Sequence, residues 1–187
     1  NTIEGGALIY KKGEYEKLFD AYKNFGIENE ESVGYVGGNA KMNEFQAAMG
    51  LANLPFIDQI IQDRKKSTLR YRELLKNLPG IYFFVPEEEQ NIEFNYGYFP
   101  IRIDKEIAGI TRDDLHNKLK EFNIFTRKYF YPIATDYHCY QGYRATANVP
   151  IAQVAGDSVM TLPLYYGMGL DTVEYVCEKI RFALGKV

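Results

Sequence analysis

The sequence predicts an α/β protein, a short antiparallel sheet covered by helices, and three observations carry that prediction. Apolar residues recur at helical spacing along several segments, which marks amphipathic helices. Two segments in the second half, Ile81–Val85 and Tyr96–Ile103, are rich in β-branched and aromatic residues and flank a polar, acidic stretch, Glu87 to Glu93, as paired strands do. A chain of 187 residues that is 46% hydrophobic and 25% charged can also bury a sizeable core, which excludes disorder by composition.

In chain order, Glu4-Gly5-Gly6 reads as a tight turn and Ala7–Tyr10 as a short strand. From Glu14 to Phe25 the residues Tyr15, Leu18, Phe19, Tyr22 and Phe25 keep helical spacing, and Gly26 supplies the stop. Glu28–Ser32 reads as an acidic, solvated loop. Gly37-Gly38 then turns the chain into a helix with Asn43 as N-cap, Glu44 in the first turn and Phe45, Ala48, Met49 and Ala52 as an apolar stripe. Unpartnered N–H groups at that helix start, with Asn39 and Lys41 beside them, suit a phosphate. Spacing alone favours the plain alternative, an ordinary capped loop.

Asn53-Leu54-Pro55 punctuates the chain, since proline is accepted in a first helical turn and not deeper. A long helix follows over Leu54–Leu78, with Leu54, Ile57, Ile61, Thr68, Tyr71, Leu75 and Leu78 on one face, and Pro79-Gly80 ends it. Arg64-Lys65-Lys66 reads as part of a solvated face. Ile81–Val85 and Tyr96–Ile103 pair antiparallel. Thr111 caps a helix carrying Leu115, Leu119 and Phe122, with Asp114 completing a capping-box pattern. Ile124–Phe130 reads as a third strand, broken at Tyr131-Pro132. Pro150–Val159 forms a short helix, and Leu170–Leu184 closes the chain with Val173, Val176, Cys177, Ile180 and Leu184 facing the core.

The charge balance, 22 basic against 25 acidic residues, creates no general field for nucleic acid or an anionic membrane. No apolar run approaches the roughly 20 residues a bilayer span needs, and no signal peptide is visible. Two cysteines, Cys139 and Cys177, without Cys-x-x-Cys spacing point to reduced thiols in the cytoplasm. The histidines His116 and His138 show no zinc-type spacing with them, so no metal site is assigned. Ser32, Ser67 and Ser158 lack a nucleophile-elbow setting. Tyrosine is abundant, with 16 copies and no Trp. Its rings suit stacking on sugars or bases, though in strands they more often serve core or interface.

Four segments share one further property. Gly37 to Gly50 contains a Gly-x-Asn-x-Lys-Met-x-Glu-x-Gln-Ala-Ala pattern; Asn1 to Gly6 contains Thr-x-Glu-Gly-Gly; Asn95 to Ile101 is an aromatic strand; and Leu162-Pro163-Leu164-Tyr165 is a late turn. In this order, over essentially the whole chain, they resemble the DegT/StrS family of pyridoxal-phosphate (PLP) sugar aminotransferases. The resemblance implies the C-terminal part of a fold-type I PLP-dependent transferase. Residues 1–53 would be the edge of a larger PLP-binding domain and a dimer element, and residues 54–187 the small α/β domain. The Schiff-base lysine would lie just upstream of Asn1, so the resemblance places no catalytic residue in this chain and implies an inactive fragment of a longer protein.

The implied activity is amino transfer, from glutamate, to a nucleotide-linked keto sugar in a homodimer. Asn39, with Lys41 standing where many relatives have Arg, would serve the PLP phosphate of the neighbouring subunit. Arg127, Tyr129 and Tyr131 would face the substrate; many relatives carry His at the position of Tyr129. Two alternatives stay open: a PLP-dependent sugar dehydratase, in which His replaces the lysine, and a non-catalytic carbohydrate-binding or interaction module.

Overall fold

The computed structural model describes residues 2–84, 93–140, 142 and 148–186. The chain divides into two units, Asn1–Asp58 and Gln59–Val187.

In the first unit, a 3-10 turn at Gly13–Tyr15 leads into α1 (Glu16–Lys23). The helix stops short of the predicted Phe25 because Phe25 and Gly26 both take positive φ, 60° and 78°, and the Gly26 N–H returns to the Ala21 carbonyl at 2.7 Å. Gly26 has no alternative: a Cβ there would lie 1.7 Å from the Tyr35 carbonyl oxygen. The predicted strand Ala7–Tyr10 does not form; its backbone finds no ladder partner among the described residues, and Ile9 is fully exposed. The predicted acidic loop is instead a small antiparallel hairpin, β1 (Ile27–Asn29) with β2 (Ser32–Val33), whose turn is tied by the Glu31 N–H donating to Asn29 Oδ1 at 2.9 Å. Asn43 does cap α2 (Glu44–Asn53), and a 3-10 turn with Pro55 near its start follows at Leu54–Phe56.

The second unit holds the main core. Helix α3 (Ile57–Leu75) begins after that 3-10 turn, and its buried face runs through Ile60, Ser67, Thr68, Tyr71 and Leu75. Ile60, not the expected Ile57 or Ile61, is the buried isoleucine of its first turns. Gly80, at φ 77°, turns the chain where its backbone passes Ala108. Strands β3 (Ile81–Phe83), β4 (Phe99–Ile103) and β5 (Val159–Leu162) make an antiparallel sheet in the order β3-β4-β5. The expected end of the first strand at Val85 and most of the acidic stretch, residues 85–92, lie outside the described residues.

β4 starts later than the expected Tyr96, which has φ 48° and cannot continue a strand. Phe99, Ile101 and Ile103 point into the core while Pro100 and Arg102 alternate away. Pro100 is tolerated in this central strand because it lies one residue past the last β3 pair, Phe83 with Ile101.

The expected third strand, Ile124–Phe130, is a correction. The position beside β4 belongs to β5, and of the 124–130 segment Arg127 alone pairs, through a bridge to Thr161. A short helix α4 (Lys105–Ala108) went unforeseen. Helices α5 (Arg112–Glu121), α6 (Pro150–Ser158) and α7 (Leu170–Ala183) fall within one or two residues of expectation. Tyr71, Leu75, Leu115, Leu119, Met160, Val173, Val176, Cys177 and Ile180 join the inward residues of β4 in one hydrophobic core.

Candidate functional site

The sequence singled out two places, one in each unit. In the first unit, the Asn43 side chain accepts from the Gln46 N–H at 2.9 Å while Gln46 Oε1 accepts from the Asn43 N–H at 3.0 Å. This reciprocal capping box satisfies the Asn43 and Gln46 N–H groups from within the protein, so those two donors are not left for a ligand. Asn39 is exposed and bridges its backbone to Asn24. The Lys41 ammonium donates to Asn24 Oδ1 at 2.7 Å and sits 4.5 Å from the Phe25 ring centroid. An exposed amide beside an ammonium suits a phosphate dianion.

The second place is a cavity of about 220 Å³ within the second unit, lined by Gly97, Tyr98, Phe125, Arg127, Tyr129 and the run Thr161–Leu164. Its back wall is the end of β5 and the turn after it. Tyr71, fully buried and stacked on Phe99 at 4.9 Å between centroids, donates its hydroxyl to the Pro163 carbonyl at 3.0 Å and so fixes that turn from beneath. Burial also raises the Tyr71 phenol's pKa well above its ordinary value, keeping it a neutral donor.

One side wall is the segment after α5, held against β5 by a pair of backbone bonds: Arg127 N–H to Thr161 O at 3.2 Å and Thr161 N–H to Arg127 O at 2.8 Å. Arg127 reaches into this wall and donates to the Tyr129 hydroxyl at 3.2 Å, while Tyr129 meets Tyr98 edge-on at 5.2 Å. The site is therefore one arginine among tyrosine rings, an arrangement suited to an anion joined to a flat or ring-shaped group.

Beside the cavity lies a polar cluster. Arg112, only 3% exposed at the head of α5, sends Nη1 to the carbonyls of Gly156 at 2.9 Å and Val159 at 2.8 Å. Its Nε donates to Asp113 Oδ1 at 2.5 Å, and the same oxygen accepts from Lys128 at 2.7 Å. Burial works to raise the Asp113 pKa, but the hydrogen bonds from Lys128 and Arg112 outweigh it and hold the carboxyl below its ordinary value. Tyr131 rests over both cations, 4.9 Å from Arg112 and 5.6 Å from Lys128.

The structure thus brings Arg127 and Tyr129 together on the cavity. Tyr131 falls outside its lining. Tyr98, Phe125 and Thr161 line it without having been proposed; Tyr98 and the Leu162–Leu164 turn were visible as motif residues, whereas Phe125 and Thr161 carried no signal before the 124–130 segment was seen against β5. Among the described residues no group of three His, Cys, Asp or Glu converges as metal ligands, and no helix is long and apolar enough to cross a membrane.

Comparison with known proteins matches residues 1–181 to the family model described as the DegT/DnrJ/EryC1/StrS aminotransferase family. A dTDP-4-amino-4,6-dideoxy-D-glucose transaminase of Escherichia coli is 40% identical over 189 residues, covering 100% of this chain and 49% of its own length. Another of the same name, from Shigella dysenteriae, is 35% identical over 181 residues, covering 97% of this chain and 48% of its own. Among solved structures, DesI in the presence of its TDP-sugar product superposes with a TM-score of 0.84 at 30% identity, over 100% of this chain and 47% of the other. The chain spans about half the length of the curated relatives it matches. Its α/β fold is accordingly that of part of a fold-type I PLP-dependent aminotransferase.

Proposed function

The chain belongs to the DegT/DnrJ/EryC1/StrS aminotransferase family, and on that footing we propose that it is part of a PLP-dependent aminotransferase that transfers an amino group from glutamate to a nucleotide-linked keto sugar. The observation that carries this reading is the likeness, along the entire chain, to enzymes named for a dTDP-linked 4-amino sugar. The cavity supports it. Arg127 offers a permanent charge and planar donors to a diphosphate oxygen, and Tyr129 and Tyr98 offer a hydroxyl and ring faces to the groups on either side. Direct contact is assigned to Arg127 and Tyr129, and not to Tyr131, which lies on two cations beside the cavity.

Asn39 and Lys41 are assigned to the phosphate of PLP, across the interface of a cytoplasmic homodimer. Their donors fit: among the described residues the Asn39 side-chain amide has no hydrogen-bond partner, and Lys41 gives up only an exposed bond to Asn24. PLP, when bound, supplies the electron sink for the transfer. The residues of this chain bind and orient, and the chemical groups that handle the proton are assigned outside it.

The test is the intact protein given PLP, glutamate and dTDP-4-keto-6-deoxyglucose. An amino sugar and 2-oxoglutarate are expected, with KM for the sugar raised about tenfold or more by Arg127→Ala. Asn39→Asp should weaken PLP retention more than Asn39→Ala, because it removes a donor and adds like charge. A product that loses oxygen without gaining nitrogen overturns the reading in favour of a dehydratase; equal PLP affinity of Asn39→Asp and wild type removes Asn39 from the phosphate site.

A further inference from the structure

Arg112 stands where four pieces of the second unit meet. It opens α5, its Nη1 closes the end of α6 and the start of β5 through the Gly156 and Val159 carbonyls, and its guanidinium lies under the Tyr131 ring. Asp113 carries the connection to the site segment itself by holding Arg112 and Lys128 on one carboxylate oxygen. Gly156 completes the fit: a Cβ there would come within 2.6 Å of Ile133, so the 130–133 stretch lies directly on α6. A buried guanidinium whose donors are taken by two carbonyls and a carboxylate has one arrangement, and moving it moves everything bonded to it.

We propose that Arg112 is a positioning residue for substrate binding. It holds the Arg127–Tyr131 segment in its place along β5, and Tyr131 serves the site by packing on Arg112, without touching substrate. This rests on the reading that Arg127 and Tyr129 bind the nucleotide sugar. The physical case is leverage. Arg127 is anchored to β5 through Thr161 alone, on an otherwise strandless segment, and Thr126 before it is held by His116, so what remains to set the direction of its side chain is whatever fixes the residues that follow. Lys128 and Tyr131 are those residues, and both are held by the Arg112–Asp113 pair. Lysine at 112 would keep the charge but lose the planar fork that serves three acceptors at once.

The experiment uses the intact, PLP-loaded protein, with dTDP as the calorimetric probe and the KM and kcat of the nucleotide sugar as a second readout. Arg112→Lys and Tyr131→Ala are each expected to weaken dTDP binding and raise KM on the order of tenfold, with kcat and the glutamate half-reaction unchanged. The double variant should be no worse than Arg112→Lys alone, because Tyr131 acts through its contact with Arg112. Tyr131→Phe keeps the ring and should bind dTDP as wild type does. A Tyr131→Phe defect as large as that of Tyr131→Ala overturns the proposal, because it puts the hydroxyl on substrate; so does a folded Arg112→Lys protein with normal dTDP affinity. Should Arg112→Lys fail to fold, the two Tyr131 variants, at a half-exposed side chain, still decide. Arg127→Ala separates the two levels: if it leaves dTDP affinity unchanged the substrate-site reading itself fails, whereas a loss there beside normal Arg112→Lys binding overturns the positioning role alone.

Discussion

His116 and Thr126 meet at 2.6 Å, side chain to side chain, on the inner side of the segment that carries Arg127. Burial lowers the His116 pKa first of all; Lys120, Lys128 and Arg112 add to this, against the opposing pull of Asp113. The ring is thus held neutral, and the sign of the linkage follows. A histidine whose folded pKa lies below its unfolded value of about 6.5 contributes stability that is fully present above that value and is lost as pH falls through the folded pKa. The urea midpoint is therefore expected to drop between pH 7.5 and 5, and His116→Gln, which cannot titrate, should lessen the drop. An unchanged pH profile in that variant would show that other groups carry the effect. Asp113 works in a different window: its depressed pKa makes its contribution full above about pH 4 and lost only in stronger acid.

Among the elements of the second unit, the corner between α3 and β3 leaves no room for a side chain. The Gly80 backbone is in the left-handed region at φ 77°, and a Cβ there would meet the Ala108 N, Cβ and Cα at 2.5, 2.6 and 2.8 Å. These are backbone and Cβ atoms, which cannot swing aside, so Gly80→Ala combines backbone strain with a clash. We expect it to cost at least about 1 kcal/mol in the urea unfolding free energy, against a near-neutral effect at Gly142 or Gly6, where nothing lies within 4 Å. The same corner feeds the sheet, because the Asp104 N–H donates to the Gly80 carbonyl at 2.8 Å and closes β4 against it. Thr111, accepting from the Asp114 N–H at 3.1 Å, caps α5 as expected, although Asp114 answers by accepting from the threonine hydroxyl instead of its backbone.

Over the whole molecule the apolar burial is uneven. Every member of the main hydrophobic cluster lies in Gln59–Val187, whereas Ala21 is the buried hydrophobic of Asn1–Asp58 among the described residues. In that first unit Leu8, Ile9, Val36, Phe45 and Leu51 are all largely exposed. Burial of apolar area is the main favourable force in folding. Residues 59–187 expressed alone should therefore unfold in one cooperative urea transition, with dispersed amide resonances, while residues 1–58 alone should show no cooperative transition. A cooperative 1–58 fragment, or a molten 59–187 fragment, would contradict this division of the core.

Local patterns in the sequence were enough for what depends on neighbours a few residues apart. The caps at Asn43 and Thr111, the helical stripe of Val173, Val176, Cys177 and Ile180, and the antiparallel pairing of the strand from Ile81 with the one ending at Ile103 follow from propensity and spacing, which act within a helical turn or between neighbouring strands, while the register of that pair came from the structure. The family motifs were legible in the same way, as short runs of residue types. Partner choice was not. Whether Ile124–Phe130 or Val159–Leu162 takes the place beside β4 is a competition between two apolar segments for one ladder, and nothing within either segment decides it. The cavity shared that limit, since Tyr98, Phe125, Arg127 and Thr161 come from three distant stretches. Only the tertiary structure placed the Tyr131 ring on Arg112, because a contact across 19 residues depends on where α5, α6 and β5 pack, and packing is set by the whole core at once.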